Sequence, residues 1–277
     1  MNKIVFDNRF FNIKDTLSCG QLFRFKPYGG GYLVFAEDKC AFLYESGGFT
    51  IIEAEDERYF RHYFDLSRDY SAIYNAALNT GESVLVKAAE LSKGVRILNQ
   101  NPVEALYSFM ISQNNNIPRI QSTIEKLCMA YGEKVGGTVE YYAFPTPENL
   151  KDVSVEDFKA LGLGYRAEYL KELTAKILNG FDPLSLSFLP AAKLFDELMK
   201  LKGVGAKVAN CVTLFGYHKT DSFPVDTWIK KYYTDDLKGT LTDIKKITDF
   251  FIGKYGDNAG YFQQYLFYYK RSLEKIL

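Results

Sequence analysis

Residues 194 to 228 read LFDELMKLKGVGAKVANCVTLFGYHKTDSFPVDTW, two amphipathic helical patterns joined by a short Gly-Val-Gly turn. This helix-hairpin-helix, at about 194–216, decides the fold of the C-terminal part. Gly203 and Gly205 let the backbone come close to a phosphate, with Val204 between them. The amides that open the second helix then point outward as donors assisted by the helix dipole. Such a grip holds DNA without reading its sequence. Alone, the Gly-Val-Gly turn reads equally well as a common loop at the end of a helix.

Outward from the hairpin, three- and four-residue apolar spacing runs back to about Glu57, as in VEALYSFMI, IQSTIEKLCMAY and AKLFDELMKL. Pro and Gly mark the breaks between these helical patterns. From about Val5 to Glu55 the pattern changes to GGYLVFAE, CAFLYES and FTIIEAE, separated by Asp38-Lys39 and Gly47-Gly48. These runs predict antiparallel strands joined by tight hairpins. The expectation is an α+β chain: an N-terminal antiparallel sheet domain with flanking helices over 1–95, then a mainly helical region over 96–277. The two parts are expected to share an interface.

Composition narrows the function classes. The 277 residues are 47% hydrophobic, enough for a full core, and 34 basic side chains balance 34 acidic ones. No global field pulls the chain onto DNA or an acidic membrane, so any nucleic-acid binding must be local. Twenty-two Phe and 21 Tyr exceed what a core of this size needs, which leaves some free to face a ligand. Cys19, Cys40, Cys128 and Cys211 form no C-x-x-C pair, and only His62 and His218 could join them, so neither zinc nor an iron–sulfur cluster is expected. No apolar run reaches signal-peptide or membrane-spanning length, which predicts a cytoplasmic protein, nucleoid-associated through DNA, with no membrane partner.

After the hairpin turn come Lys207, in the first turn of the second helix, and Asp226, nineteen residues on within Pro224-Val225-Asp226. Lys207 could be a solvated phosphate contact, and Asp226 could cap the helix TWIKKYY. Together, at this spacing, they resemble the helix-hairpin-helix glycosylases, in which a lysine at the Lys207 position marks enzymes that also cut the backbone. An amine attacking C1′ of a deoxyribose must be neutral, and burial and the positive end of a helix both favour that form. A carboxylate nearby would stabilise the positive charge that builds on the sugar as the base departs.

Four further segments, SCGQLFRF (18–25), SFMISQNNNIPRI (108–120), LGLGYRAEYL (161–170) and AGYFQQYLF (259–267), narrow the resemblance to the 8-oxoguanine glycosylase/lyase family. The resemblance implies that Asn114 and Tyr165 fill and wedge the gap left by a flipped base. It implies that Arg119 and Arg166 donate to the estranged cytosine. Gly20 matches the residue whose carbonyl meets the N7 hydrogen that 8-oxoguanine has and guanine lacks. Gln263 matches the amide that reads the base's Watson–Crick edge, while Phe267 and Cys211 match the two faces that hold the ring. One departure is Trp228, where family members from animals and fungi usually carry His; we take it as a stacking wall of the pocket. No cofactor is required for this chemistry, although hairpin carbonyls in related proteins often hold a structural monovalent cation. The expected partner is damaged double-stranded DNA, bound by a monomer. A glycosylase for another lesion and a non-catalytic hairpin module are the rival readings; the first usually carries a four-cysteine loop or lacks the lysine, and the second forms no covalent adduct with DNA.

Overall fold

The N-terminal strands are one-faced because their side chains alternate. In the strand Lys39–Ser46, Ala41 and Leu43 are buried while Phe42 and Tyr44 are half-exposed. The computed structural model describes residues 2–137 and 139–274. Five strands, β1 (Asn2–Asp7), β2 (Phe25–Tyr28), β3 (Gly31–Ala36), β4 (Lys39–Ser46) and β5 (Phe49–Ala54), form a sheet in the order β1-β5-β4-β3-β2. All neighbours are antiparallel, with Ile4 and Leu43 both opposite Ile52, and Val34 opposite Ala41. Gly47 and Gly48, at φ of 57° and 83°, make the β4–β5 turn, because two successive positive φ values suit the twist of a two-residue hairpin. Helices α1 (Ile13–Ser18) and α2 (Glu57–Tyr63) cover one face, and Ile4, Val34, Leu43, Ile52, Phe60 and Phe64 share that core.

The rest is helical: α3 (Tyr70–Asn79), α4 (Ser83–Ser92), α5 (Pro102–Ile111), α6 (Ile117–Tyr131), α7 (Val155–Ala160), α8 (Arg166–Leu178), α9 (Ala191–Met199), α10 (Ala206–Phe215), α11 (Thr227–Lys231), α12 (Ile244–Tyr255) and α13 (Ala259–Glu274). A two-stranded hairpin of β6 (Lys134–Val135) and β7 (Tyr141–Tyr142) interrupts them. Capping explains several starts: Asn101, Asn116 and Asp243 each accept from a first-turn amide, and Ser154 forms a capping box with Asp157. Every residue of α5 from Glu104 to Ile111 is buried, so this helix is the centre of the body. Leu85 of α4, Phe109, Leu127, Val212 and Leu266 of α13 join one large core, and Phe23 of the sheet region enters it.

Two arginines fasten sheet to helices. Arg24 Nη1 lies 3.2 Å from Glu104 Oε1, with both side chains under 10% exposed at 4% and 9%. Arg24 also donates to the carbonyls of Glu37 and Tyr142, and Glu104 Oε2 accepts from Glu37 N at 2.7 Å. Arg96, 1% exposed, donates to the carbonyls of Phe64, Phe10 and Asp65 and lies 3.8 Å over the Tyr70 ring. Phe10 precedes α1 and Phe64 and Asp65 follow α2, so the guanidinium ties these two segments together. Truncating Glu104 would leave the Arg24 cation buried without its carboxylate, whose typical cost is about 3–5 kcal/mol. Glu104→Ala should therefore lower the urea midpoint sharply; an unchanged midpoint would show that the pair contributes nothing.

Candidate active site

The hairpin places its glycines for two different reasons. Gly203 takes φ of 81°, and a Cβ there would sit 2.4 Å from the ring carbons of Tyr169, so backbone conformation and close packing both demand glycine. Gly205 is the N-cap of α10, with no side-chain cap bond and open space where a Cβ would lie. Val204 between them is buried and anchors the turn in the core. The α10 N-terminus therefore presents uncapped amides at an open surface, the geometry that suits a phosphate oxygen.

Lys207 follows in the first turn of α10, half-buried, its Nζ 5.7 Å from the centre of the Phe109 ring. One turn on, Cys211 lies on the same face and is 4% exposed. Burial pushes the Cys211 thiol up, while the nearby Lys207 amine pulls it back. Asp226 reaches the same place from the other side. Its Oδ1 accepts from Trp228 N at 3.1 Å and Ile229 N at 3.0 Å, so it caps α11. Burial holds the Asp226 carboxyl above its ordinary value, against the pull of those amides and of Lys207. Amine and carboxylate are thus electrostatic neighbours. Trp228 is half-buried in the first turn of α11, with Lys231 Nζ 5.0 Å from the centre of its ring.

Helix α13 supplies the next side of the site. Gln263, 4% exposed, donates from Nε2 to Pro224 O at 3.1 Å, two residues before Asp226. Its Oε1 is buried with no hydrogen-bond partner. Four residues on, Phe267 lies against Gly20: a Cβ on Gly20 would stand 3.3 Å from the ring edge. Gly20 also takes φ of 88°, so the turn after α1 needs glycine twice over. The structure therefore brings Gly20 and Phe267 together, joins Gln263 to the Pro-Val-Asp loop, and sets Lys207 beside Cys211 and Asp226.

A second group gathers where α5 passes to α6. Asn114 is exposed with φ of 43°, an uncommon conformation for a residue with a side chain. Arg119, in the first turn of α6, is exposed, and Tyr165, the residue before α8, is 50% exposed. Arg166 differs from the sequence expectation of a fork offered to a base. It is 5% exposed; Nε and Nη2 donate to Gln113 O, Nη2 also to Asn114 O at 2.9 Å, and Nη1 to Leu163 O at 3.2 Å. Its guanidinium also lies 4.5 Å from the centre of the Tyr165 ring. In the free protein Arg166 braces the Asn114 turn, because main-chain carbonyls of that turn satisfy its donors first.

Residues 3–106 match the family model of the 8-oxoguanine DNA glycosylase N-terminal domain, and residues 107–246 match that of the HhH-GPD superfamily base excision DNA repair proteins. The chain belongs to this family, in its 8-oxoguanine glycosylase branch. The N-glycosylase/DNA lyase OGG1 of Arabidopsis thaliana is 35% identical over 200 residues, which are 67% of this chain and 54% of that protein. The N-glycosylase/DNA lyase of Saccharomyces cerevisiae is 38% identical over 165 residues, 54% of this chain and 44% of that one. The chain spans about half the length of these two relatives. Among solved structures, the 8-oxoguanine glycosylase/lyase of Clostridium acetobutylicum, in complex with double-stranded DNA containing cytosine opposite 8-oxoguanine, superposes with a TM-score of 0.90. It is 37% identical, covering 95% of this chain and 93% of its own. MBOgg1 in complex with a low-affinity DNA ligand gives a TM-score of 0.92 at 35% identity, covering 99% and 97%.

For this member of the HhH-GPD family, sequence reasoning missed three parts of the site. Phe109 beneath Lys207 reads only as one more apolar residue of α5. Pro224 O, the acceptor for Gln263, is a main-chain atom that no side-chain pattern announces. Tyr169, which fixes the close packing at Gly203, lies on another helix.

Asp226 gives a test in which stability and activity part. A carboxyl raised by burial is penalised when ionised, a cost present above its folded pKa and relieved as pH falls through it. Asn keeps the cap without the charge. Asp226→Asn should melt higher than wild type at neutral pH, with the difference shrinking as the pH enters the carboxylate range. Base excision should fall on the order of 100-fold, the usual loss for one electrostatic stabiliser. A lower melting temperature at neutral pH would contradict this account of Asp226.

Proposed function

We propose that this protein is a bifunctional base-excision repair enzyme that flips 8-oxoguanine, preferably opposite cytosine, out of duplex DNA, excises it, and cleaves the resulting abasic site. The observation that carries the reading is Gln263, which bonds Pro224 O in the loop that leads to Asp226 and whose buried Oε1 has no partner, with Lys207 close enough to lower the Asp226 carboxyl. An acceptor alone in a dry site suits a ligand with N–H donors, and the Watson–Crick edge of a guanine offers N1–H and the 2-amino group. Gly20 then supplies the carbonyl that attracts the N7 hydrogen of the lesion and repels the N7 lone pair of guanine. Phe267 and Cys211 take the two ring faces.

In the reaction, the lone pair of the Lys207 amine forms a bond to C1′ while the bond from C1′ to N9 breaks. The electron pair leaves with the base, which takes up a proton. Asp226 stabilises the positive charge that develops on the sugar. The amine then loses its proton as the ring opens to a Schiff base between Nζ and C1′. Loss of a proton from C2′ expels the 3′ phosphate by β-elimination. Asn114 and Tyr165 occupy the gap, and Arg119 donates to O2 and N3 of the cytosine. Arg166 joins it by releasing carbonyls it holds in the free protein. Trp228 forms part of the pocket wall.

The α10 N-terminus with Gly203, Val204 and Gly205 grips a phosphate. Carbonyls of the same hairpin are the groups that would hold a structural monovalent cation against that phosphate. Leu201 O fits, since it accepts one hydrogen bond, from Val204 N at 3.0 Å, and keeps a second lone pair. No step of the reaction runs through that ion.

Trapping tests the mechanism. With borohydride present, a duplex carrying one 8-oxoguanine opposite cytosine should yield a covalent protein–DNA band, and undamaged and thymine-glycol duplexes should not. Lys207→Gln should bind the same duplex but give neither band nor excision. Excision by that variant near the wild-type rate would overturn Lys207 as the nucleophile.

A further inference from the structure

Helix α13 makes contacts beyond Gln263 and Phe267. Gln264 Nε2 donates to Cys19 O at 2.9 Å, Tyr268 donates to Asp15 at 2.5 Å, and Arg271 Nη2 donates to Ser18 O at 2.5 Å. These three side chains, at i, i+4 and i+7, form one stripe along the helix that grips the end of α1 and the turn leading to Gly20. Arg271 is the member of that stripe that lies beside both Phe267, one face of the proposed slot, and Gly20, at its N7 edge. Its guanidinium lies 5.1 Å from the centre of the Phe267 ring. Its Nη1 would stand 3.4 Å from a Cβ on Gly20. Nη1 is buried with no hydrogen-bond partner, and no carboxylate pairs with Arg271 among the described residues. The half-buried side chain is held by one carbonyl and the Phe267 and Tyr268 rings, and its buried idle donor calls for an explanation.

We propose that Arg271 is a positioning residue of the recognition slot, holding the Ser18–Gly20 turn and the Phe267 ring at the separation that a flipped 8-oxoguanine requires. The inference rests on the reading of Gly20 and Phe267 as the groups that meet the base. Arg271 acts through both. Its bond to Ser18 O fixes the turn two residues before the Gly20 carbonyl, and its charge beside Phe267 fixes the ring. It touches neither Lys207 nor Asp226, so it has no part in the amine chemistry. A neutral side chain of similar bulk would keep the packing but lose the carbonyl bond and the cation–ring contact.

The experiment separates base recognition from strand cleavage. Single-turnover excision of 8-oxoguanine opposite cytosine is compared with cleavage of the same duplex carrying a preformed abasic site, which places no base in the slot. Arg271→Leu should lower excision about tenfold or more, the loss that follows a misplacement of about an ångström, while abasic-site cleavage stays within about twofold of wild type. Arg271→Lys, which keeps a cation on a flexible stem, should retain abasic-site cleavage and recover part of the excision; it also serves if the leucine variant fails to fold. An equal fall in both activities, or unchanged excision, overturns the proposal. Phe267→Ala is measured alongside. If it excises 8-oxoguanine at the wild-type rate, the slot itself has been misread; if it is impaired while Arg271→Leu is not, only the role of Arg271 fails.

Discussion

Two neighbouring glutamines on α13 hold the site together. Gln263 donates to Pro224 O and Gln264 to Cys19 O, so one turn of one helix fixes both the loop that carries Asp226 and the turn that carries Gly20. These segments are about 200 residues apart in the chain, and neither lies in a helix or strand. A side-chain amide bonding a buried main-chain carbonyl satisfies both groups at once and leaves little freedom in their spacing. α13 in turn packs on α4, through the core that holds Leu85 and Leu266. The separation between the groups proposed to read the base and those proposed to attack the sugar is therefore set by a rigid element, where the geometry can be kept tighter than on loops alone.

The same site carries several groups held at a cost. Burial raises the Asp226 carboxyl, Gln263 Oε1 and Arg271 Nη1 lack partners, and Asn114 takes a left-handed conformation held by Arg166. Each costs stability on its own. The large core around α5 and the buried arginines at the sheet interface offset them. In the proposed reaction Asp226, Gln263 and Asn114 each gain a partner or a use when DNA arrives. The exception in kind is Arg166, whose donors are already satisfied, so its move toward cytosine must break bonds as well as make them. Binding the estranged base and releasing the Asn114 turn are then linked events.

Fold class was legible because the signals were local. GGYLVFAE, CAFLYES and FTIIEAE became β3, β4 and β5, and the helical spacing after Glu57 became α2 to α13. The sheet's two edge strands were less plain. β1 runs into a polar segment, and β2 carries Pro27, whose missing amide suits only an edge. The short β6–β7 pair has two residues per strand, too few for a periodic signal. For the site, residue identities and helix spacing could be read, as with Lys207 and Cys211 or Gln263 and Phe267. What each side chain bonds to could not. Arg166 meets carbonyls some fifty positions away, and Arg271 reaches a turn at the opposite end of the chain, and such partners leave no mark on local pattern.

The most direct test of the central claim is a crystal structure of the Lys207→Gln protein with a duplex containing 8-oxoguanine opposite cytosine. The account predicts an extrahelical base between Phe267 and Cys211, its N7 facing the Gly20 carbonyl and its Watson–Crick edge at Gln263 Oε1, with C1′ beside residue 207 and Asp226. A lesion left stacked in the duplex, or a base lodged away from Gly20 and Gln263, would contradict it.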